Sequence, residues 1–183
     1  MGMNGIKCLM EFVKKEHQAN SKTREFIAKA LSMSSPYDST LGLAIELLLS
    51  MSRDKNAEVR KACLSSLDKL RSQGNNWSNI RDLLPFFYQF LSDTSNEVRE
   101  CAINCIRNTG PQGQFLLTEG LTKDKSVLVR KECARGLGKI GASAFRELLL
   151  GLHDTNKTVR IAVGEAILKY ISEEELINVL RYA

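Results

Sequence analysis

Residues 93–110 read DTSNEVRECAINCIRNTG, and three other segments of the chain align with this stretch without a gap. Each segment begins with an aspartate, carries a valine five residues later, and continues with an arginine. The four arginines, Arg60, Arg99, Arg130 and Arg160, are separated by 39, 31 and 30 residues. A pattern that returns at this distance is typical of proteins built from stacked repeats.

Each copy predicts an amphipathic helix that starts shortly after the aspartate. Apolar residues four apart follow the arginine, as at Ala102 and Ile106, and they occupy one face of a helix. Two residues after the aspartate stands a Ser or Asn, whose side chain can accept a hydrogen bond from the amides at a helix start. These cap residues are Asn56, Ser95, Ser126 and Asn156.

A second apolar segment precedes each aspartate and predicts another helix. The four segments are residues 41–51, 80–91, 115–121 and 145–152. The repeat unit is therefore a helical hairpin, which we describe as helix A followed by helix B. The start of the chain fits a degenerate copy, in which Gln18 replaces the aspartate and Thr23 the valine, as expected of a terminal repeat that stacks on one side only.

The stretches at residues 80–110 and 129–141 resemble the consensus of the HEAT repeat family and of its shorter relatives of the phycobilisome-lyase type. The resemblance implies an all-α fold, a right-handed α-solenoid of about five hairpins plus a terminal helix. B helices would line its concave face and A helices its convex face. We predict one domain over residues 1–183, with repeats at about 3–35, 39–72, 77–110, 112–141 and 142–171 and the terminal helix at 172–182.

The composition is that of a globular protein, with 43% hydrophobic residues and a formal net charge of +5. No apolar run approaches the ~20 residues that a membrane-spanning helix needs. The N-terminus also lacks the basic and apolar regions of a signal peptide. We therefore expect no membrane partner, and we expect the five cysteines to be reduced thiols in a cytoplasmic or nuclear protein.

The repeated Asp and Arg could suggest acid–base catalysis, but a catalytic pair is needed once and this one occurs four times. We interpret it as a ladder between neighbouring repeats, whose carboxylates also accept hydrogen bonds from turn amides. Cys101 and Cys105 share a helix face and could ligate a metal, yet they align with small residues where helices approach, so we interpret them as packing residues. The His-Glu dyads of the HEAT-like deoxyhypusine hydroxylases are absent. We predict no enzyme activity, no cofactor and no metal.

Basic residues are concentrated at the turns between helix A and helix B and on the B helix of the fourth repeat. The turn residues are Lys22, Arg53, Lys55, Lys123, Lys125 and Lys157, the stripe on the B helix is Lys131, Arg135 and Lys139, and the interleaved acids are Glu97, Glu100 and Glu132. Because the repeats are in register, we expect the turn residues to line one edge. That edge is either a solvated surface or a binding site for an acidic partner.

The resemblance leaves more specific functions open. Tubulin-binding HEAT arrays use this edge with an aromatic residue in the first turn, which residues 17–22 lack. HEAT-like alkylpurine DNA glycosylases use a basic concave groove with several aromatic residues, whereas Trp77 is the single tryptophan here. We predict a non-catalytic protein–protein interaction scaffold that binds its partner on the concave face or the basic turns, with nucleic-acid binding as the alternative.

The fifth repeat carries two apolar residues where other copies are polar or have no side chain. Ile161 directly follows the repeat arginine, and Leu168 lies two helical turns further on, so both lie on one face. Their counterparts in the fourth repeat are Lys131 and Gly138. We expect the pair to contact either a second copy of the chain, which gives a homodimer, or a partner helix.

Overall fold

The computed structural model describes residues 20–34, 41–73 and 83–174, together with positions 5, 8–9, 11–12 and 177. Across these residues the chain forms nine α-helices and three 3-10 turns and no strand, so the predicted all-α class is confirmed. The helices are α1 (Ser21–Leu31), α2 (Leu41–Met51), α3 (Ala57–Gln73), α4 (Leu83–Gln89), α5 (Asn96–Arg107), α6 (Pro111–Lys123), α7 (Val127–Ile140), α8 (Phe145–Leu150) and α9 (Lys157–Tyr170).

The B helices α3, α5, α7 and α9 each begin at the residue after the predicted cap. The side chain of Asn56 accepts a hydrogen bond from the backbone amide two residues later at 2.9 Å. Asn156 accepts the amide of Thr158 in the same way, and the Ser126 hydroxyl accepts the amide of Val129, three residues later. The Ser95 hydroxyl donates to the carboxylate of Glu97 at 2.7 Å. Short-range side-chain chemistry therefore sets the helix starts, as the sequence predicts.

The A helices agree less closely with the predicted segments. α2 covers residues 41–51 as predicted, whereas α6 begins at Pro111 rather than at residue 115. Gly110 adopts a φ of 73° there, and proline is well suited to the first helical position. α4 and α8 are short, and each is followed by a 3-10 turn, at Phe90–Ser92 and Gly151–His153. A Cβ added at Gly151 would lie 2.6 Å from Cγ2 of Val163, so this turn lies directly against α9.

Contacts divide the chain into two compact units, which we describe separately. Unit 1 covers the described residues up to Leu83 together with Ser95–Cys101, and unit 2 covers Leu84–Thr94 and the described residues from Ala102 onward. In unit 1, α1 packs along α3, and α2 packs against both. Its core contains the fully buried leucines Leu31, Leu48, Leu64, Leu67 and Leu70.

In unit 2, α7 packs against its hairpin partner α6 and against the next B helix, α9. α7 and α9 approach closely because Gly138 has no side chain. A Cβ added at Gly138 would lie 2.7 Å from that of Ala166. The A helices α6 and α8 are also in contact. B helices therefore stack on B helices and A helices on A helices, which is the arrangement of a repeat protein.

Several predictions concern residues that lie mostly or entirely outside the described part of the chain. They include the first helix at residues 6–13, Trp77, and most of the terminal helix at residues 172–182. None of the described helices combines the length and apolar character that a membrane crossing requires. The single domain, its repeat boundaries and the right-handed sense of the solenoid stay predictions.

Candidate partner-binding surface

An ion pair joins the fourth repeat to the fifth in unit 2. Arg130 donates from Nε to Asp154 Oδ2 at 2.6 Å and from Nη2 to Asp154 Oδ1 at 3.1 Å. Its Nη1 donates to the backbone oxygens of Asp124 and Lys125 at 2.9 and 3.2 Å. Asp154 Oδ1 also accepts the amide of Asn156 at 2.7 Å. One arginine therefore holds its own turn and the carboxylate of the next repeat, which confirms the ladder interpretation here.

The same pair occurs in unit 1. Arg24 donates to both carboxylate oxygens of Asp54 at 2.6 and 2.9 Å, and Asp54 Oδ1 accepts the amide of Asn56 at 2.8 Å. Burial of Asp54 opposes ionisation, but the hydrogen bond from Arg24 helps to bring its pKa below the ordinary value. The pKa of Asp154 is lowered chiefly by the hydrogen bond from Arg130. Both carboxylates are thus ionised and paired internally.

Asp124 is also turned inward, through a contact that the sequence analysis did not identify. The Tyr88 hydroxyl donates to Asp124 Oδ2 at 2.8 Å, and the Ser126 amide donates to Oδ1 at 2.8 Å. Burial raises the pKa of Tyr88, so its hydroxyl remains a donor. Tyr88 precedes Asp124 by 36 residues, and no local pattern relates the two.

Because these turn carboxylates face inward, the exposed charges of the same turns are mainly basic. The exposed basic residues are Lys22, Arg53 and Lys55 in unit 1 and Lys123, Lys125 and Lys157 in unit 2. Lys123 pairs with Glu119 at 2.6 Å. The other five form no ion pair within the described part of the chain. The turns therefore present positive charge to solvent, while their role in binding stays a prediction.

The basic stripe on α7 is partly neutralised. Arg135 Nη1 lies 3.0 Å from Oε2 of Glu132, and Lys139 Nζ donates to Asn104 Oδ1 at 3.5 Å. Lys131 has no ion pair with any described residue. Glu132, one of the acids interleaved with the basic residues in the sequence, is only 2% exposed.

Glu132 is buried because of its position in the repeat. It stands two residues after the repeat arginine, and its counterparts Ala62 and Ala162 are buried as well. Alignment of the repeats could have revealed this, since an acid at a position of small residues is unusual. The ion-pair partner of Glu132 is Arg135, three residues later on the same helix, a spacing at which side chains are neighbours.

Ile161 and Leu168 are exposed on α9, as the pattern predicts. Ile161 retains 48% and Leu168 87% of its accessible surface. Glu165 lies between them on the same face and is also exposed. Gly138, the counterpart of Leu168 in the preceding repeat, lies against Ala166 of α9. The apolar pair therefore lies on the side of α9 where a following B helix would pack.

Unit 1 contains a polar groove between α1 and α3 that the sequence analysis missed. Its volume is about 240 Å³, and its lining residues include Glu25, Lys29 and Ser32 from α1 and its C-cap and Ser66 and Lys69 from α3. The Lys29 ammonium pairs with Glu25 at 2.5 Å. The residues on α1 and its C-cap are the first, fifth and eighth after Arg24, and those on α3 are the sixth and ninth after Arg60.

The described cysteines differ in their burial. Cys63, Cys105 and Cys133 are buried, Cys101 is half-buried and Cys8 is exposed. Burial raises the pKa of Cys63 to about 12, so this thiol stays protonated. Among the described residues no three side chains of the metal-ligating types come together. The packing interpretation is confirmed for Cys105, and Cys101 lies 3.2 Å from the Ser65 hydroxyl.

Comparison with known proteins gives a match to one family. The HEAT repeat model matches residues 44–70 and 83–111. These two segments contain the helical hairpins α2–α3 and α4–α5, apart from a few residues at the helix ends. No curated protein gives a significant match to the chain.

Proposed function

On the premise that this chain belongs to the HEAT repeat family, we propose that it is a non-catalytic scaffold that binds an acidic protein partner through its basic turns. HEAT repeats indicate a helical solenoid, and such proteins commonly act as protein–protein interaction scaffolds. The family fold is typically non-enzymatic. The nature of the partner rests on charge, because the fold by itself does not select one.

One observation carries the proposal: in these turns the carboxylates face the interior of the protein, while the lysine side chains face solvent. Asp54 and Asp154 are held inward by arginines, whereas Lys55, Lys125 and Lys157 are exposed and form no ion pair within the described residues. An acidic partner surface would be attracted by this positive charge at distances up to about a Debye length, ~8 Å in physiological salt. Such attraction acts mainly on the association rate.

The test reverses these three charges in one variant. In Lys55→Glu, Lys125→Glu, Lys157→Glu, the association rate with a captured acidic partner should fall about tenfold at low salt, and its salt dependence should weaken. The matched control reverses Lys69, Arg146 and Lys169, which lie on helices, and changes the net charge equally. Equal association rates for the two variants would refute the basic turns as the binding surface.

Nucleic-acid binding is the alternative that the same variants can distinguish. Retention on duplex DNA should then fall steeply with salt, because each phosphate contact releases counterions. A protein partner that also packs apolar surface would retain measurable affinity at high salt. Strong, salt-sensitive DNA retention that is lost in the turn variant and kept in the control would assign the function to nucleic-acid binding.

A further inference from the structure

The B helices stack in one register, which both units show. In unit 2, Gly138 is the eighth residue after its repeat arginine, and it meets Ala166, the sixth residue after the next one. In unit 1, Glu25, Lys29 and Ser32 form one wall of the groove between α1 and α3. They are the first, fifth and eighth residues after Arg24. Lys61 and Ser65 of α3 line the same groove from the other side. The position that the following repeat covers is therefore position 8, which is buried at Ser32 and at Gly138.

On α9 these three positions are open. They are occupied by Ile161, Glu165 and Leu168, all of which are exposed. In α7 the residue equivalent to Leu168 is Gly138, which is buried under α9. The face of α9 on which another B helix would pack is therefore apolar at both ends and uncovered.

Arg160 supplies a second, independent feature of this face. Its Nη1 donates to the backbone oxygens of Asp154 and Thr155 at 2.7 and 3.1 Å. Arg130 makes the same two contacts with its own turn, and it uses Nε and Nη2 to bind the aspartate of the following repeat. Nε and Nη2 of Arg160 have no hydrogen-bond acceptor among the described residues. The guanidinium is thus oriented by its own turn, with the carboxylate-binding edge unused.

We propose that this end of α9 binds an amphipathic helix of a partner protein, preceded by an Asp or Glu. The helix would pack as a following B helix does, covering Ile161 and Leu168, and its carboxylate would bind Nε and Nη2 of Arg160. This inference rests on the proposed scaffold function and names the chemistry of a partner at one end of the stack. Burial of two apolar side chains together with a bidentate charge pair gives both affinity and orientation.

A second copy of the chain fits this face less well. If the first repeat of another copy packed on α9, the residue at the aspartate position would be Gln18. Its amide is uncharged and cannot form the ion pair that Asp154 forms with Arg130. The unused charge of Arg160 therefore favours a partner that carries a carboxylate at this position.

The probe for this site is a synthetic peptide with the sequence of residues 154–170, DTNKTVRIAVGEAILKY, in which Ala166→Gly makes room for Leu168, because Ala166 approaches α7 at a glycine, Gly138. In the chain this segment already packs on α7 with Asp154 on Arg130. In the peptide, Ile161→Lys introduces an amine that is joined to the Glu165 carboxylate as an amide. This cross-link holds the peptide helical and lies on the side of the helix that faces away from the chain. This link removes most of the nucleation cost that would weaken a short peptide.

Binding of the labelled peptide to the full chain is measured by fluorescence anisotropy. Leu168→Asp in the chain should weaken binding about tenfold or more, while the control Leu150→Asp should not, because Leu150 is exposed on α8 instead. Asp154→Asn in the peptide should also weaken binding about tenfold. Asparagine preserves the local turn, so this loss reports the charge contact with Arg160.

Three results would overturn the proposal: no binding at about 1 mM peptide, equal binding to the Leu168→Asp chain, or equal binding of the Asp154→Asn peptide. Sedimentation of the wild type tests the other occupant, since a dimer that Leu168→Asp dissociates would assign the face to a second copy. The proposed function is tested separately by the turn variant with its acidic partner. If the peptide does not bind while the turn variant still associates more slowly with its acidic partner, only this inference is refuted. If the peptide binds while the turn variant associates as fast as the control, only the basic turns are refuted as a binding surface.

Discussion

Replacing Arg130 by alanine should destabilise the chain more than any change to an exposed lysine of the same helix. The substitution removes four hydrogen bonds, two to Asp154 and two to backbone oxygens. The side chains of Arg130 and Asp154 are 12% and 7% exposed, so the aspartate would remain largely buried without its cation. Breaking a buried pair in this way costs about 3–5 kcal/mol.

We expect the lower end of that range, about 3 kcal/mol, because Asp154 keeps one hydrogen bond from the Asn156 amide. For a chain of this length the melting temperature should fall by about 6–12 °C. Urea unfolding followed by circular dichroism measures the free energy directly. The matched control is Lys131→Ala, the adjacent residue without an ion pair in the described structure, which should change stability by less than about 0.5 kcal/mol.

The pH dependence provides a second readout of the same pair. The pKa of Asp154 lies below its ordinary value of 3.8, so the folded state binds the proton less readily than the unfolded state. The stabilisation is therefore complete above the unfolded pKa and is lost as the pH falls through the folded pKa. The wild type should lose more stability below about pH 4 than the Arg130→Ala variant does.

A double-mutant cycle decides whether the ladder contact itself is responsible. Combining Arg130→Ala with Asp154→Asn should give a coupling energy of about 2 kcal/mol. A coupling near zero, or an Arg130→Ala variant within about 0.5 kcal/mol of the wild type, would refute the argument that this pair stabilises the stack.

Three further experiments test helix packing, capping and thiol burial. Gly138→Ala should lower the unfolding free energy by about 1–2 kcal/mol through overpacking, whereas the control Gly164→Ala, which meets no atom within 4 Å, should be neutral or stabilising. Asn156→Ala should lower it by about 1 kcal/mol, measured by urea unfolding, because the cap of α9 is lost. Cys63 should react with a thiol reagent at pH 8 only on unfolding, because its pKa is raised to about 12. Equal glycine effects, an unaffected Asn156→Ala, or rapid labelling of native Cys63 would contradict the respective arguments.

Local features were predictable because they depend on residues only a few positions apart. The starts of α3, α7 and α9 follow from Asn56, Ser126 and Asn156, each of which accepts a hydrogen bond from an amide two or three residues later. The repeated valines are buried in all four copies, since one helix face is set by a period of 3.6 residues. The candidate residues Ile161 and Leu168 share an exposed face for the same reason.

The partners of the turn aspartates were decided by the stacking of repeats, which brings together residues 24 to 36 positions apart in sequence. Glu132 pairs with Arg135 on its own helix, whereas its burial results from the packing of α7 against its neighbours. Tyr88 binds Asp124 across 36 residues. The carboxylate-binding edge of Arg160 is unused because no described residue occupies the place that Asp154 takes for Arg130. Sequence periodicity determines which side of each helix packs, and only the tertiary structure determines which atoms meet there.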